Sequence, residues 1–184
     1  NDLGYGASIL LQRNYEVKLR DYQTQKDSIE DLYEDMENFK PDLIMLSVTN
    51  TTIFDDIQLA TLLKKRYHPV IVLKGAIFYD PPEEMLQLLD LSSIDYMIGG
   101  EVDFAIGEVA DYALRGEGDI RDVPNILFKL RDGTILRTSF HIWEDNLDNQ
   151  PFPARQLMNN ALYTRPDTNE PMATIQTARG CPSR

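Results

Sequence analysis

Residues 42–48 read Asp-Leu-Ile-Met-Leu-Ser-Val, an apolar run without alternation. A strand with one wet face alternates apolar and polar residues. A run that is apolar on both faces suits a central strand of a parallel sheet, covered by helices on each side. Pro41 ends the helical pattern before it, and a polar loop, Thr49-Asn50-Thr51-Thr52, follows it. Residues 70–73 and 94–98 repeat the theme and close in Lys74-Gly75-Ala76 and Gly99-Gly100-Glu101. Helical patterns separate these runs. In the first, Ser28 and Asp31 have capping-box spacing, Ile29, Leu32, Met36 and Phe39 share one face, and the acids between them are expected to face water. The second, over 55–66, begins with Asp55 and Asp56 and ends with Lys64, Lys65 and Arg66, which complements a helix dipole. Pro81, Pro82, Glu83 and Glu84 open a third. Asp103 starts a fourth that runs to Leu114 and closes at Gly116.

Toward the start of the chain, residues 4–13 read as a helix stopped by Asn14. Residues 16–22, Glu-Val-Lys-Leu-Arg-Asp-Tyr, alternate and are expected to form a strand near the sheet edge. Strand and helix in turn at this spacing mean right-handed βαβ units and an open parallel sheet. Such a sheet feeds its first helix from a strand, so one strand is expected ahead of Asn1. With it, residues 1–118 form an α/β domain of Rossmann or flavodoxin type with strand order 2-1-3-4-5. Beyond it, residues 126–130 and 134–138 flank Asp132-Gly133, the signature of a β-hairpin within an extension over 119–143. Five of the ten prolines fall between 151 and 182, so 144–172 reads as a linker, with a short new strand over 173–177.

Composition narrows the function. The 184 residues carry 30 acidic and 18 basic side chains, a net charge of −12, which argues against a nucleic-acid or anionic-membrane partner. No apolar run approaches the roughly 20 residues of a membrane-spanning helix, and no basic-then-apolar leader opens the chain. The single cysteine, Cys181, makes no internal disulfide, which fits a reducing, cytoplasmic compartment. His68, at a helix end, and His141, beside Trp143, read as surface or packing residues, and Asp90, Asp95, Glu144, Asp145 and Asp148 as loop solvation.

In open α/β sheets ligands bind beyond the carboxyl ends of the strands. Here that rim holds Asn1-Asp2-Leu3-Gly4, Ser47-Val48-Thr49, Lys74-Gly75 and Gly99-Gly100-Glu101. Glycines let backbone approach a ligand closely, although they also serve strand-to-helix turns. Nothing at the rim forms an acid–base or nucleophile constellation. A phosphorylated receiver would need an acid where Ser47 stands; a flavin site would need a phosphate loop after the missing strand.

The closing residues Ala178-Arg179-Gly180-Cys181-Pro182-Ser183-Arg184 resemble the start of the CxxxCxxC motif of radical S-adenosylmethionine enzymes. The rest resembles the cobalamin-binding domain that precedes the radical barrel in one class of these enzymes. Asn1-Asp2-Leu3-Gly4 matches the second half of the DxHxxG signature, with Asn1 in the histidine position. Ser47-Val48-Thr49 matches SxL with Thr49 for Leu, Lys74-Gly75 stands for a glycine pair, and Gly99-Gly100-Glu101 is similar to the GEGE turn. Residues 145–155 resemble the linker into the barrel.

The resemblance implies a piece of a longer enzyme, with 173–184 opening its barrel and Cys181 as one thiolate of a [4Fe-4S] cluster. There S-adenosylmethionine would be cleaved reductively, and methylcobalamin would serve as methyl donor. This piece alone is expected to have no turnover. Without a histidine at position 1, cobalamin is expected base-off, its tail in a groove edged by Gly4, Ser47, Thr49 and Gly75, with Lys74 crowding that groove or pairing with the tail phosphate. The partners implied are that cofactor, the barrel of the same chain and, as an option, a second copy. The alternative is a flavodoxin-like scaffold that has lost the cofactor and acts as a cap or dimerisation module.

Overall fold

Three parallel strands carry the core: β1 (Leu43–Ser47), β2 (Val70–Lys74) and β3 (Tyr96–Ile98). They belong to a computed structural model that describes residues 2–25, 27–100, 105–130, 132–139 and 147–175. The hairpin around Asp132-Gly133 extends the same sheet: β4 (Ile126–Lys129) runs antiparallel to β3, and β5 (Ile135–Arg137) antiparallel to β4. The result is a mixed five-stranded open sheet in the order β1-β2-β3-β4-β5, a Rossmann-like α/β fold.

The helices follow the sequence signals closely. Helix α1 (Asp2–Gln12) ends where Asn14 takes a left-handed φ of 61°. A single turn, α2 (Tyr22–Gln25), precedes α3 (Ile29–Phe39), which the Ser28–Asp31 capping box opens in both directions. Helix α4 (Ile53–Tyr67) carries the acid-first, base-last pattern and stops at His68, whose φ is 59°. Helix α5 (Glu83–Gln87) is shorter than its sequence suggests. Helix α6 (Ile106–Ala110) continues as a π-helical turn (Asp111–Arg115) that Gly116 ends at φ 70°. No described helix is long and apolar enough to cross a membrane.

Both faces of the sheet are covered, as the unbroken apolar strands require. On one face Ile57 and Ala60 of α4 pack with Ile71, Leu73, Phe78 and Met97, and Ile44 and Leu46 lean onto this cluster. On the other, Val72, Ile98 and Ile126 pack with Ile106 and Val109 of α6, joined by Ile9 and Leu10 of α1 and by Leu43 and Met45.

Five expectations are corrected. Residues 16–22 keep the alternation, with Val17 and Leu19 half-buried between exposed Glu16 and Lys18, but they form no strand. No described segment lies beside them to complete a ladder. Asp35 does not face water. It takes an ion pair from Lys18 and lies 2.9 Å from Arg20 Nε, and the Tyr22 hydroxyl donates to it at 2.8 Å, so it ties residues 18–22 to α3. Ile29, expected on the buried face of α3, is 43% exposed. Asp95 is no loop solvation: its carboxylate accepts from the Ile71 amide and from Lys64 Nζ, both at 2.7 Å, and so caps the ladder just ahead of β3. Residues 173–175 form no strand, and Gln176 and Thr177 lie outside the described residues.

A polar cluster fastens α1 to α6. Arg13 pairs with Asp111 and, at 2.5 Å, with Glu108; the Tyr15 hydroxyl donates to Asp111 at 2.8 Å; and Arg115 lies over the Tyr15 ring at 4.0 Å. Gly107 leaves room for the arginine, since a Cβ there would stand 2.3 Å from Arg13 Nε. Burial pushes the Asp111 carboxyl up, but the hydrogen bonds from Tyr15 and Arg13 outweigh it and hold it below the ordinary carboxylate range. Asp35 is lowered in the same way, burial being outweighed by Lys18 and Tyr22. Burial first, and then the bond to Asp111, push Tyr15 up to about 12.

A carboxylate whose folded pKa is depressed stabilises the fold fully above its unfolded value of about 3.9. That contribution fades as pH falls through the folded value. The urea midpoint is therefore expected to hold between about pH 5 and 7 and to fall steeply below about pH 4. Asp111→Asn should be less stable at neutral pH and should show a shallower acid decline, measured by urea titration at each pH.

Candidate functional site at the carboxyl rim

The described rim residues are Asp2, Gly4, Ser47, Thr49, Lys74, Gly75, Gly99 and Gly100; Asn1 and Glu101 lie outside the described residues, as does Cys181. The structure divides the described ones into two groups.

Gly4 and Ser47 come together. Both line one cavity of about 950 Å³ that opens between α1, residues 15–22, α3 and the free edge of β1. The apolar lining includes Ala7 and Leu10 of α1, Met36 and Phe39 of α3, and Leu43 and Met45 of β1. Gly4 stands where the linker crosses α1. Its carbonyl accepts from the Ala154 amide at 2.9 Å, and a Cβ on it would meet Pro153 at 3.0 Å. Ser8, one turn further along and 8% exposed, donates to the Phe152 carbonyl at 2.5 Å. The linker is thus seated on the first two turns of α1, leaving the Phe152 side chain 91% exposed. Composition alone marks this stretch only as proline-rich. The small residues Gly4 and Ser8, one helical turn apart, are the signal that something packs closely there.

Gly75 and Gly99 serve the fold's own packing. A Cβ on Gly75 would stand 2.7 Å from the Val48 carbonyl oxygen. One on Gly99 would stand 2.1 Å from the carbonyl carbon and oxygen of Phe78. At these two positions glycine allows one strand end to pass under its neighbour's loop. Gly100 lies against Asn125, where a Cβ would approach to 3.1 Å. Lys74 pairs in register with Ser47 and is half-buried.

Thr49 belongs to an exposed hydroxyl cluster. Its Oγ1 lies 3.0 Å from that of Thr51 and 2.9 Å from that of Thr52, and Thr52 donates to Asp56 at 2.7 Å. Asp56 also borders the cavity, so the hydroxyl loop sits beside its mouth. A serine and a hydroxyl loop beside an apolar slot fit the nucleotide tail of a cobalamin, a planar base carrying polar edges, whereas the space beside Gly4 is already taken by Pro153. The Gly75 and Gly99 turns do not add to that fit, because protein backbone already fills the space a side chain would take. Among the described residues, no His, Cys, Asp or Glu cluster is grouped to hold a metal ion.

No protein-family model matches the chain. An uncharacterized methyltransferase of Pyrococcus horikoshii is 22% identical over 182 residues, 98% of this chain and 38% of that protein. The solved structure of OxsB, a cobalamin-dependent S-adenosylmethionine radical enzyme with aqua-cobalamin and S-adenosylmethionine bound, is similar to 83% of this chain. The TM-score is 0.66, the identity 17%, and the match spans 21% of OxsB. The radical S-adenosylmethionine methyltransferase TsrM from Kitasatospora setae, with cobalamin and a [4Fe-4S] cluster bound, is similar to 86% of this chain. The TM-score is 0.62, the identity 17%, and 30% of TsrM is covered. At such identities the likeness establishes the shared fold. The chain spans well under half the length of each of these proteins.

Two substitutions test the division of the rim. Gly99→Ala, which drives a Cβ into the Phe78 backbone, is expected to cost about 3 kcal/mol. Gly116→Ala, which meets no atom and only strains a left-handed residue, should cost about 1 kcal/mol. Chemical denaturation reads both, and equal losses would contradict the packing role of Gly99. Ser8→Ala should remove the linker clamp, at a cost of about 1 kcal/mol. It should also speed amide exchange at Ala154, while exchange at Ile71 stays unchanged.

Proposed function

We propose that residues 1–118 form a cobalamin-binding-type domain. With the hairpin extension over 119–143 and the linker over 144–172, it would stand ahead of a radical S-adenosylmethionine barrel beginning over 173–184, in a longer enzyme of methyltransferase type. The observation that carries this reading is the cavity that Gly4 and Ser47 share at the carboxyl rim, the place where an open α/β sheet binds ligands. The resemblance in fold to OxsB and TsrM, both solved with cobalamin, supports it, as does the distant likeness over nearly the whole chain to a methyltransferase.

When bound, cobalamin supplies a cobalt-carried methyl group. In this reading Ser47 would offer the tail a hydroxyl beside the start of α1. The apolar walls from α1, α3 and β1 exclude water from the base. The hydroxyls of Thr49, Thr51 and Thr52 face the polar parts of the corrin. With Asn1 in the histidine position, no imidazole would be offered to cobalt from that position, and the cofactor would be held base-off. Cys181 is the proposed first thiolate of the [4Fe-4S] cluster at which the barrel would bind S-adenosylmethionine.

A second reading, a scaffold that holds no cofactor, is favoured by Gly75 and Gly99, whose space the protein itself fills. Hydroxocobalamin decides between the two. It is added to the 184-residue chain and to the longer parent protein, the excess is removed, and the visible spectrum is recorded. The first reading expects a retained, shifted cobalamin band, weakened about tenfold in affinity by Ser47→Leu, a loss of about 1.4 kcal/mol. Colourless protein in both preparations would leave the scaffold.

A further inference from the structure

Residues 155–174 are tied to one another more closely than to the domain, and their two fastenings differ in kind. Ahead of Arg155 the hold is made by backbone. The Ala154 amide donates to the Gly4 carbonyl at 2.9 Å, Ser8 donates to the Phe152 carbonyl, and Ala154 is buried. Further on, the hold is one side chain: the Tyr163 hydroxyl donates to Asp21 at 2.9 Å. Thr24 orients that acceptor, its amide and hydroxyl both donating to the Asp21 carboxylate, at 3.0 and 2.7 Å. Between the fastenings lie two single 3-10 turns, Arg155–Leu157 and Asn160–Leu162. The Asn160 side-chain amide joins them by donating to the Arg155 and Met158 carbonyls. Beyond Tyr163 the chain folds back. The Met172 amide donates to the Tyr163 carbonyl and the Arg165 amide to the Glu170 carbonyl, both at 2.8 Å, and Arg155 donates to the Thr174 carbonyl. Among the described residues, no hydrogen bond leads from 156–162 to a helix or strand of the sheet domain.

This body stands against the cavity. Leu157, Met158, Leu162 and Tyr163 line it together with Gly4 and Asp21, so the segment runs from the α1 wall to the wall formed by residues 15–22. Leu157 and Met158 are half-buried, while Gln156, Asn159 and Asn160 are exposed. Apolar contact on the inner side favours the seated position. A segment that carries its own hydrogen bonds and has a single polar tie at one end opens without unfolding. We propose that residues 155–174 are a lid on the cavity, hinged at Ala154 and latched by the Tyr163 hydroxyl on Asp21, and that unlatching admits the ligand. Burial first, and then the bond to Asp21, raise the Tyr163 hydroxyl above the ordinary tyrosine value, so it keeps its proton and the latch stays made at neutral pH. Which ligand enters rests on the cofactor reading; the hinge and the latch do not.

Thiol modification of the 184-residue chain, with no cofactor added, tests it. In a Cys181→Ser background, Met36→Cys places one thiol in a cavity wall at a buried position. Its rate of reaction with dithionitrobenzoate reports opening. Tyr163→Phe, which removes the latch hydroxyl alone, should raise that rate about tenfold, the factor expected for one hydrogen bond to a charged group. Two controls separate a lid from general loosening. Ala60→Cys, buried in the core outside the cavity, should react as slowly with Tyr163→Phe as without it. Exchange at the Ala154 amide should stay unchanged, because the hinge holds. An unchanged rate at Met36→Cys would overturn the proposal, as would an equal acceleration at Ala60→Cys or of Ala154 exchange. Should Met36→Cys fail to fold, Ala7→Cys, buried in the α1 wall of the same cavity, gives the same reading. Faster labelling in a chain that retains no hydroxocobalamin would support the lid and remove only the cofactor reading, so the two proposals fail separately.

Discussion

A strand buried from both faces has to satisfy its backbone along both edges, and β1 does so along one. Much of the molecule is arranged around that fact. Helices α1 and α3 lean over the open edge from opposite faces. Residues 16–20 stand on its far side in extended form without a ladder. Asp35 keeps them there by gathering Lys18, Arg20 and Tyr22. The Arg13–Tyr15–Asp111 cluster fixes the end of α1 to the π-helical turn that continues α6. Polar clamps stand at the edges of this cavity, and apolar side chains of α1, α3 and β1 line its inside.

The same arrangement decides what the rim can do. Where the cavity meets the carboxyl ends of the strands, Ser47 lines it, while the space beside Gly4 belongs to Pro153 of the linker. At Gly75 and Gly99 the corresponding space belongs to Val48 and to the Phe78–Tyr79 backbone. Glycine at all three positions is thus clearance for a neighbouring segment of the chain, and the Gly4 carbonyl also accepts the Ala154 amide.

How much of this was legible depended on whether the cause lay within one element or between elements. The unbroken apolar runs at 43–47 and 70–74, the Ser28–Asp31 box, the charge order of α4 and the Asp132-Gly133 hairpin all have local causes, and the structure has them where the sequence puts them. The alternation in 16–22 was also real, and the half-burial of Val17 and Leu19 follows it. A strand, however, needs a neighbour, and the residues alone do not state that none lies beside it. Asp35 and Asp95 read as solvent-facing acids because their partners, Lys18 and Arg20 in one case and Lys64 and the Ile71 amide in the other, lie on different elements. The rim glycines were found by position, but their packing role rests on approaches of 2–3 Å between neighbouring segments.

The width of the gap between residues 16–20 and β1 is the quantity on which all of this turns. Lys18, Arg20 and Tyr22 point to α3, so Leu19 points to the α1 side, where Met45 packs with Ile9 and Leu10. In a Cys181→Ser background, Leu19→Cys and Met45→Cys place two thiols on the same face across the gap. Strands two ladder positions apart are separated by about 10 Å, whereas a disulfide needs Cα atoms about 4.4–6.8 Å apart. A slot one strand wide therefore leaves the folded protein's two thiols free under mild oxidation, as thiol titration and mass measurement would show. Rapid, quantitative disulfide formation in the folded protein would mean that the two segments already lie side by side, and would contradict a cavity between them.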